Sequence, residues 1–230
     1  MKQAILILML TFCRLLCFSQ DIENNPSKAH LDKALVRQLD TIYHDDQDYR
    51  LLIDSVNKKN GQRSKEMRDL WEIIRLKDSI DQVKVTSIID KYGWMGADIV
   101  GTHGNTTLFL VIQHADFSIQ EKYLPLMRDA VKKGNARGSD LALLEDRVAL
   151  WSGKKQIYGS QISEYLGSGK YVAPLEDPDN VDKRRAEVGL RPMSVYLSYF
   201  DMKWDLEQYK KDLPLIEAKE KALNERAIKK

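Results

Sequence analysis

The chain has 230 residues, of which 36 are basic and 34 acidic, for a formal charge of +2, and 43% are hydrophobic. That length is enough for one good-sized core. The charge balance argues against nucleic-acid binding, which draws its affinity from a basic surface that neutralises phosphates, and no apolar run beyond the N-terminal one is long enough to cross a bilayer.

Residues 1–19 read as a cleavable secretory signal. Lys2 supplies the positive start, Ala4 to Cys13 form the apolar core, and Ser19 is a small residue ahead of a cut before Gln20. Arg14 interrupts the run, which disfavours a membrane anchor of roughly 20 apolar residues. A lipid attached at Cys17 would want a small residue before it, and Leu16 stands there. Export to the periplasm or beyond the cell is therefore expected. The signal would carry away Lys2, Arg14, Cys13 and Cys17, leaving 34 basic residues against 34 acidic ones and no thiol for a disulfide or a metal.

Residues 20–29 are polar, with Asn24, Asn25 and Pro26 in a row, and read as a linker. A helical pattern follows in Leu31, Ala34, Leu35, Leu39 and Ile42, resuming in Tyr49, Leu52, Ile53 and Val56 until Asn60 and Gly61 stop it. A second helix is predicted from about Ser64 to Tyr92, with a polar middle around Asp78 to Lys84 that suggests a break. Gly93, Gly96, Gly101 and Gly104 then mark a loop, and Asn105 or Thr106 would cap a buried helix through Leu108 to Ile112. Helices over 118–133 and 139–151 end at Gly134 and Gly153. From Gln156 the period shortens, which predicts a small β-hairpin over 156–173 turning at Gly167-Ser168-Gly169. Another helix, 180–188, ends at Gly189, and residues 201–230 form a charged helical tail divided by Pro214. The expected fold is mainly α: a helical bundle-like single domain over 30–200, of five or six helices with a small antiparallel β-hairpin.

Several segments, read together, resemble a bacterial family, domain of unknown function 6624. They are Asp46-Gln47 with Arg50, Tyr92-Gly93-Trp94, Gln113-His114-Ala115-Asp116, Gln120 and Leu124-Pro125-Leu126, then Leu141-Ala142, Leu144 and Asp146-Arg147-Val148. Gly153, Gln156 and Tyr158-Gly159-Ser160-Gln161 follow, with Glu176-Asp177-Pro178, Val181-Asp182, Arg184-Arg185, Gly189-Leu190 and Tyr196-Leu197. The resemblance covers roughly residues 35–197. It implies a shared fold and shared special residues, and it brings no activity with it.

His114 is the first candidate for chemistry. It shares a helix face with Leu110 and Val111, and imidazole titrates near neutral pH, so it suits a general base or acid given an orienting carboxylate such as Asp116 or Asp146. A core histidine that orients helices is the plainer account. Asp146 and Arg147 interrupt an apolar helix, where charges need partners; they fit either a polar ligand or an ion-pair network with Arg184 or Arg185. Gln156, Tyr158 and Gln161 alternate across the expected strand beside Gly159, and with Gln113, Gln120 and Arg147 they form the candidate ligand-binding set. His30, His44 and His103 complete the histidines. Together with Asp45, Asp46 or Asp116 they make no metal-ligand signature, so no metal and no cofactor is expected. The glycines of 93–104 match neither a P-loop nor a dinucleotide fingerprint, and no Gly-x-Ser-x-Gly elbow is present.

The sequence thus points to a non-catalytic exported binding or interaction module for a polar small molecule or an envelope protein. The alternative is a hydrolase using His114 as base. What separates them is whether His114 and a carboxylate lie within hydrogen-bonding reach in an open cleft.

Overall fold

The computed structural model describes residues 31–165 and 169–228. The expected signal, the linker, His30 and the Gly167-Ser168 part of the hairpin turn lie outside the described residues. The described chain is mainly α-helical with one two-stranded antiparallel sheet. By their contacts the described residues gather into two compact units that divide between Arg137 and Gly138.

The first unit runs α1 (Lys33–Gln47), a 3-10 turn (Arg50–Leu52), α2 (Ile53–Asn60), α3 (Lys65–Tyr92), α4 (Ala97–His114) and α5 (Phe117–Lys132). Asp32 starts α1 by accepting the Ala34 and Leu35 N–H groups, and Ser64 does the same for α3 through Met67 N–H. Three helices, α1, α3 and α4, pack pairwise. They bury Leu39, Ile42, Val85, Ile89, Leu108 and Ile112 almost completely, and each such aliphatic side chain contributes roughly 1.5–3 kcal/mol. A β-carbon at Gly104 would meet Leu39 Cδ1 at 3.2 Å and Val100 Cβ at 3.1 Å, so α1 approaches α4 closely there. A second cluster of Ile53, Met67, Leu70, Trp71 and Ile74 fastens α2 to α3.

Two expectations change in this unit. The glycine-rich stretch is not a loop throughout, because α4 begins at Ala97 and only Gly101, at φ 73°, leaves helical geometry. Asn105 is therefore inside the helix rather than capping it, and its side chain donates to the backbone oxygens of Met95 and Asn135 at 2.7 Å each. Nor does α3 break at Asp78 to Lys84. Asp78 and Asp81 there turn inward, Asp78 to Arg50 from outside α3 and Asp81 to Lys84 of α3 itself.

The second unit runs α6 (Gly138–Trp151), β1 (Ile162–Tyr165), β2 (Gly169–Val172), a 3-10 turn (Pro178–Asn180), α7 (Val181–Glu187), α8 (Met193–Ser198) and α9 (Leu206–Ile228). The hairpin pairs Ile162 with Val172 and Tyr165 with Gly169. It is shorter than 156–173, since 157–161 is irregular. Gly159 makes that possible: its φ is 67° and Met193 Sδ lies 2.8 Å from where a β-carbon would stand. Pro214 does not divide the tail. It lies inside α9, held by buried Tyr209 and Ile216 on either side, and the Tyr209 hydroxyl donates to Ala173 O and accepts from Leu175 N–H. Among the described residues no helix is long and apolar enough to cross a membrane.

Candidate functional site

The buried face of α1 carries Leu35, Leu39 and Ile42 and then, one turn on, Asp46. The matching face of α3 carries Leu70, Ile74, then Asp78 and Asp81, before Val85 and Ile88 resume it. Both helices thus place carboxylates where a leucine would continue the core. His114, the last residue of α4, reaches the same place.

His114 Nδ1 lies 2.9 Å from Asp46 Oδ1 and 3.1 Å from Oδ2, with the two side chains only 4% and 1% exposed. Gln47 Nε2 donates to Asp46 Oδ2 at 2.6 Å. Arg50 stands beside them, 3% exposed. Its Nη1 donates to the Asp46 backbone oxygen at 2.6 Å and lies 3.5 Å from Asp46 Oδ1, while its Nη2 donates to both Asp78 oxygens at 2.8 and 2.9 Å. A ring nitrogen of His114 and one oxygen each of Asp46 and Asp78 all lie within 4.8 Å of one another. The Arg50 guanidinium already supplies the positive charge that these carboxylates require. The arrangement is an ion-pair chain, Asp78–Arg50–Asp46–His114, drawn from three helices and a turn.

The two carboxylates are driven apart in acidity. Burial pushes Asp46 up, but the His114 and Arg50 charges and the His114 and Gln47 hydrogen bonds outweigh it and hold the group at about 2. Burial pushes Asp78 up to about 6, helped by the nearby Asp46 and Asp81 charges and opposed by Arg50. An ionised Asp46 can only accept hydrogen bonds. Nδ1 of His114 must then carry the proton between them, which leaves Nε2 as the basic nitrogen of the neutral ring. Beyond this chain lies a second one: Lys77 pairs with Asp45 at 2.6 Å, and Lys84 pairs with Asp81 at 2.8 Å and Asp45 at 3.5 Å.

The carboxylate that orients His114 is thus Asp46, rather than Asp116 or Asp146. Asp116 precedes α5 and pairs with Gln82, which donates to its Oδ2 at 3.3 Å and accepts its N–H at 3.2 Å. Gln120 Nε2 donates to the Gln113 and Ala115 backbone oxygens at 2.9 Å each, joining the end of α4 to α5, and Gln113 is buried alongside. His44 pairs with Asp48 and His103 with Asp40 at the exposed surface. Neither approaches the site through those contacts.

The remaining candidates belong to the second unit. Asp146, fully buried, accepts N–H groups from Ile157 at 2.6 Å, Tyr158 at 2.9 Å and Ser160 at 2.9 Å. Burial pushes its pKa up, against the pull of those donors. Gln156 donates to the Gln161 and Ala173 oxygens and accepts Gln161 N–H at 2.8 Å, while Gln161 Nε2 bonds Ser160 Oγ at 2.9 Å. Arg185 joins this network: it donates to Tyr158 O at 2.7 Å and lies 4.7 Å from the Tyr196 ring centroid. Arg147 is buried, and Tyr158 is half-buried.

Sequence reasoning placed Asp46 and Arg50 among the family-like segments but proposed neither Arg50 nor Asp78 as a site residue, and it offered Asp46 for chemistry only as one carboxylate among several. The signal was available. Charges on the core face of two helices, at the spacing of the apolar residues before them, are what a buried ionic site looks like from the sequence.

No curated protein and no solved structure matches this chain. The sequence model of a family described as "Family of unknown function (DUF6624)" matches residues 35–208, most of the chain, and the protein belongs to that family.

Proposed function

We propose that the protein is an exported hydrolase in which His114 is the general base and Asp46 orients it. The observation that carries this reading is the buried Asp46–His114 pair at 2.9 Å, whose carboxylate stays ionised while a second one, Asp78, titrates near 6 beside it. Titratable neighbours pushed apart in pKa are the usual signature of assigned acid and base roles. A binding module would need no such separation. Of the residues expected to bind a ligand, Gln156 and Gln161 direct polar atoms at the backbone and at each other instead.

In the proposed mechanism no serine elbow or thiol is needed. Nε2 of His114 takes a proton from a water molecule as that water attacks the carbonyl carbon of a polar ester or amide. The imidazolium that forms is stabilised by Asp46 across Nδ1–H, and Gln47 and Arg50 keep that carboxylate in place. The proton then passes to the leaving oxygen or nitrogen as its bond to the carbonyl carbon breaks, releasing a carboxylic acid and an alcohol or amine. Export rests on the signal-like residues 1–19.

The test uses protein recovered from outside the cytoplasm, whose first residue should be Gln20, assayed on a panel of chromogenic esters, anilides and phosphodiesters. Hydrolysis of an ester or anilide is expected. His114→Gln should reduce it at least ~100-fold, and Asp46→Asn by a similar order, with the helical signal retained. Turnover that survives His114→Gln, or a panel with no turnover at all, counts against the reading.

A further inference from the structure

The chain of charges has a feature that a simple base does not need. Arg50 is only 3% exposed, so its one positive charge is divided between the two carboxylates it touches, Asp78 through a two-point fork and Asp46 through Nη1. Asp78 lies in turn within 4.8 Å of a His114 ring nitrogen.

We propose that Arg50 is a positioning residue that shares its charge between Asp46 and Asp78, so that the charge on Asp78 sets the proton affinity of His114. With Asp78 ionised, Arg50 is drawn toward it, Asp46 keeps more of its negative charge for the imidazole, and Asp78 itself adds a nearby negative charge. All three effects favour imidazolium. With Asp78 protonated, the guanidinium falls to Asp46 alone and the imidazolium loses support. His114 is a stronger base above the Asp78 transition than below it.

Other charged groups face this cluster. From α1 these are Asp45 and Asp46, from the following turn Arg50, from α4 His114, and from α3 itself Lys77, Asp81 and Lys84. Asp45, Lys77, Asp81 and Lys84 are already paired among themselves at 2.6 to 3.5 Å. The Asp81 carboxylate is fully buried, and its Oδ2 has no hydrogen-bond partner among the described residues. Burial raises its pKa against the pull of Lys84, and its charge in turn raises that of Asp78. That leaves Arg50 as the group whose partner changes.

The inference concerns proton affinity and rests on the proposed catalytic role only for its effect on rate. It is tested on the mature full-length chain, labelled at histidine and aspartate, by following the His114 ring and Asp78 carboxyl resonances between pH 4 and 8. In the wild type the His114 titration should show two steps, one of them coincident with Asp78, as two coupled groups do. Asp78→Asn should remove that step and lower the His114 midpoint by about one unit. By linkage, His114→Gln should raise the Asp78 midpoint by the same amount. Arg50→Met should raise the His114 midpoint, and Arg50→Lys should restore part of the difference.

A His114 midpoint unchanged in Asp78→Asn, or a single-step titration in the wild type, overturns the inference. The wild-type titration decides the matter alone if a variant does not fold. Coupling without hydrolysis would remove the catalytic role and keep the inference; hydrolysis that depends on His114 without coupling would do the reverse.

Discussion

The two units bury charge in different ways. In the second, Asp146 faces three backbone N–H groups and Arg185 faces backbone oxygens. In the first, Asp46 faces His114 and Arg50, and Arg50 faces Asp78. A backbone amide has one protonation state, so a carboxylate bonded to it fixes a loop and does little else. A titratable partner can exchange protons. Two aspartates that look alike on apolar helices therefore have different chemistry, decided by what they meet.

The largest expected effect comes from removing the backbone-facing charge. Asp146→Ala would leave the Ile157, Tyr158 and Ser160 N–H groups without their acceptor inside the second unit, and each buried unpaired donor costs about 1–3 kcal/mol. A loss of about 5 kcal/mol is expected in denaturant unfolding. Asp146→Asn should recover part of it, because its amide oxygen can still accept from Ile157 and Tyr158 while its NH2 would face the Ser160 N–H. A variant that loses less than ~1 kcal/mol would mean that the loop over 157–160 does not depend on Asp146.

This contrast also explains what the sequence revealed. Helices with a continuous apolar stripe and a clear cap, such as α3 at Ser64 and α1 at its Leu35, Leu39 and Ile42 face, are legible because period and capping are local. The polar segment Asp78 to Lys84 was misread as a break for the opposite reason. What keeps it helical is Arg50, 28 residues away, and Asp45, 32 residues from Lys77. His114 stood out as a candidate, but its partner Asp46 is 68 residues distant and no spacing rule reaches that far. Tyr158 to Gln161 showed an alternation that suits a strand. The chain there wraps around one carboxylate instead, and the φ of Gly159 gives the only local hint.

The next effect is smaller and depends on pH. Asp78 titrates near 6 in the folded protein against a reference of 3.8, so between those values the native state holds a proton that the unfolded chain has released. Stability should fall as pH rises from about 4 to about 6, by about 2–3 kcal/mol, and then level off with respect to this group. Asp46, held at about 2, acts in the other direction: its contribution is present above about pH 4 and is lost as pH falls toward 2. Asp78→Asn should flatten the limb between pH 4 and 6 and leave the acid limb in place. Urea unfolding at pH 2, 3, 4, 5, 6 and 7 measures both limbs, and an unchanged slope between pH 4 and 6 in Asp78→Asn would break the comparison.

The smallest effect isolates burial from residue type. His44 and Asp48 make the same kind of pair as His114 and Asp46, with Nδ1 at 3.2 Å from the carboxylate, but their side chains are 59% and 57% exposed. They sit at the end of α1, where a protonated histidine also interacts favourably with the helix C-terminus. Water screens both contributions, so His44→Ala should change stability by no more than about 0.5 kcal/mol at pH 7. His114→Ala would instead leave Asp46 buried beside Arg50 with one partner fewer, and should cost on the order of 2–3 kcal/mol. If the two substitutions cost the same, the histidine–carboxylate contact itself would be the source of the effect. A several-fold difference assigns it to desolvation, the same property that separates the Asp46 and Asp78 carboxylates in acidity.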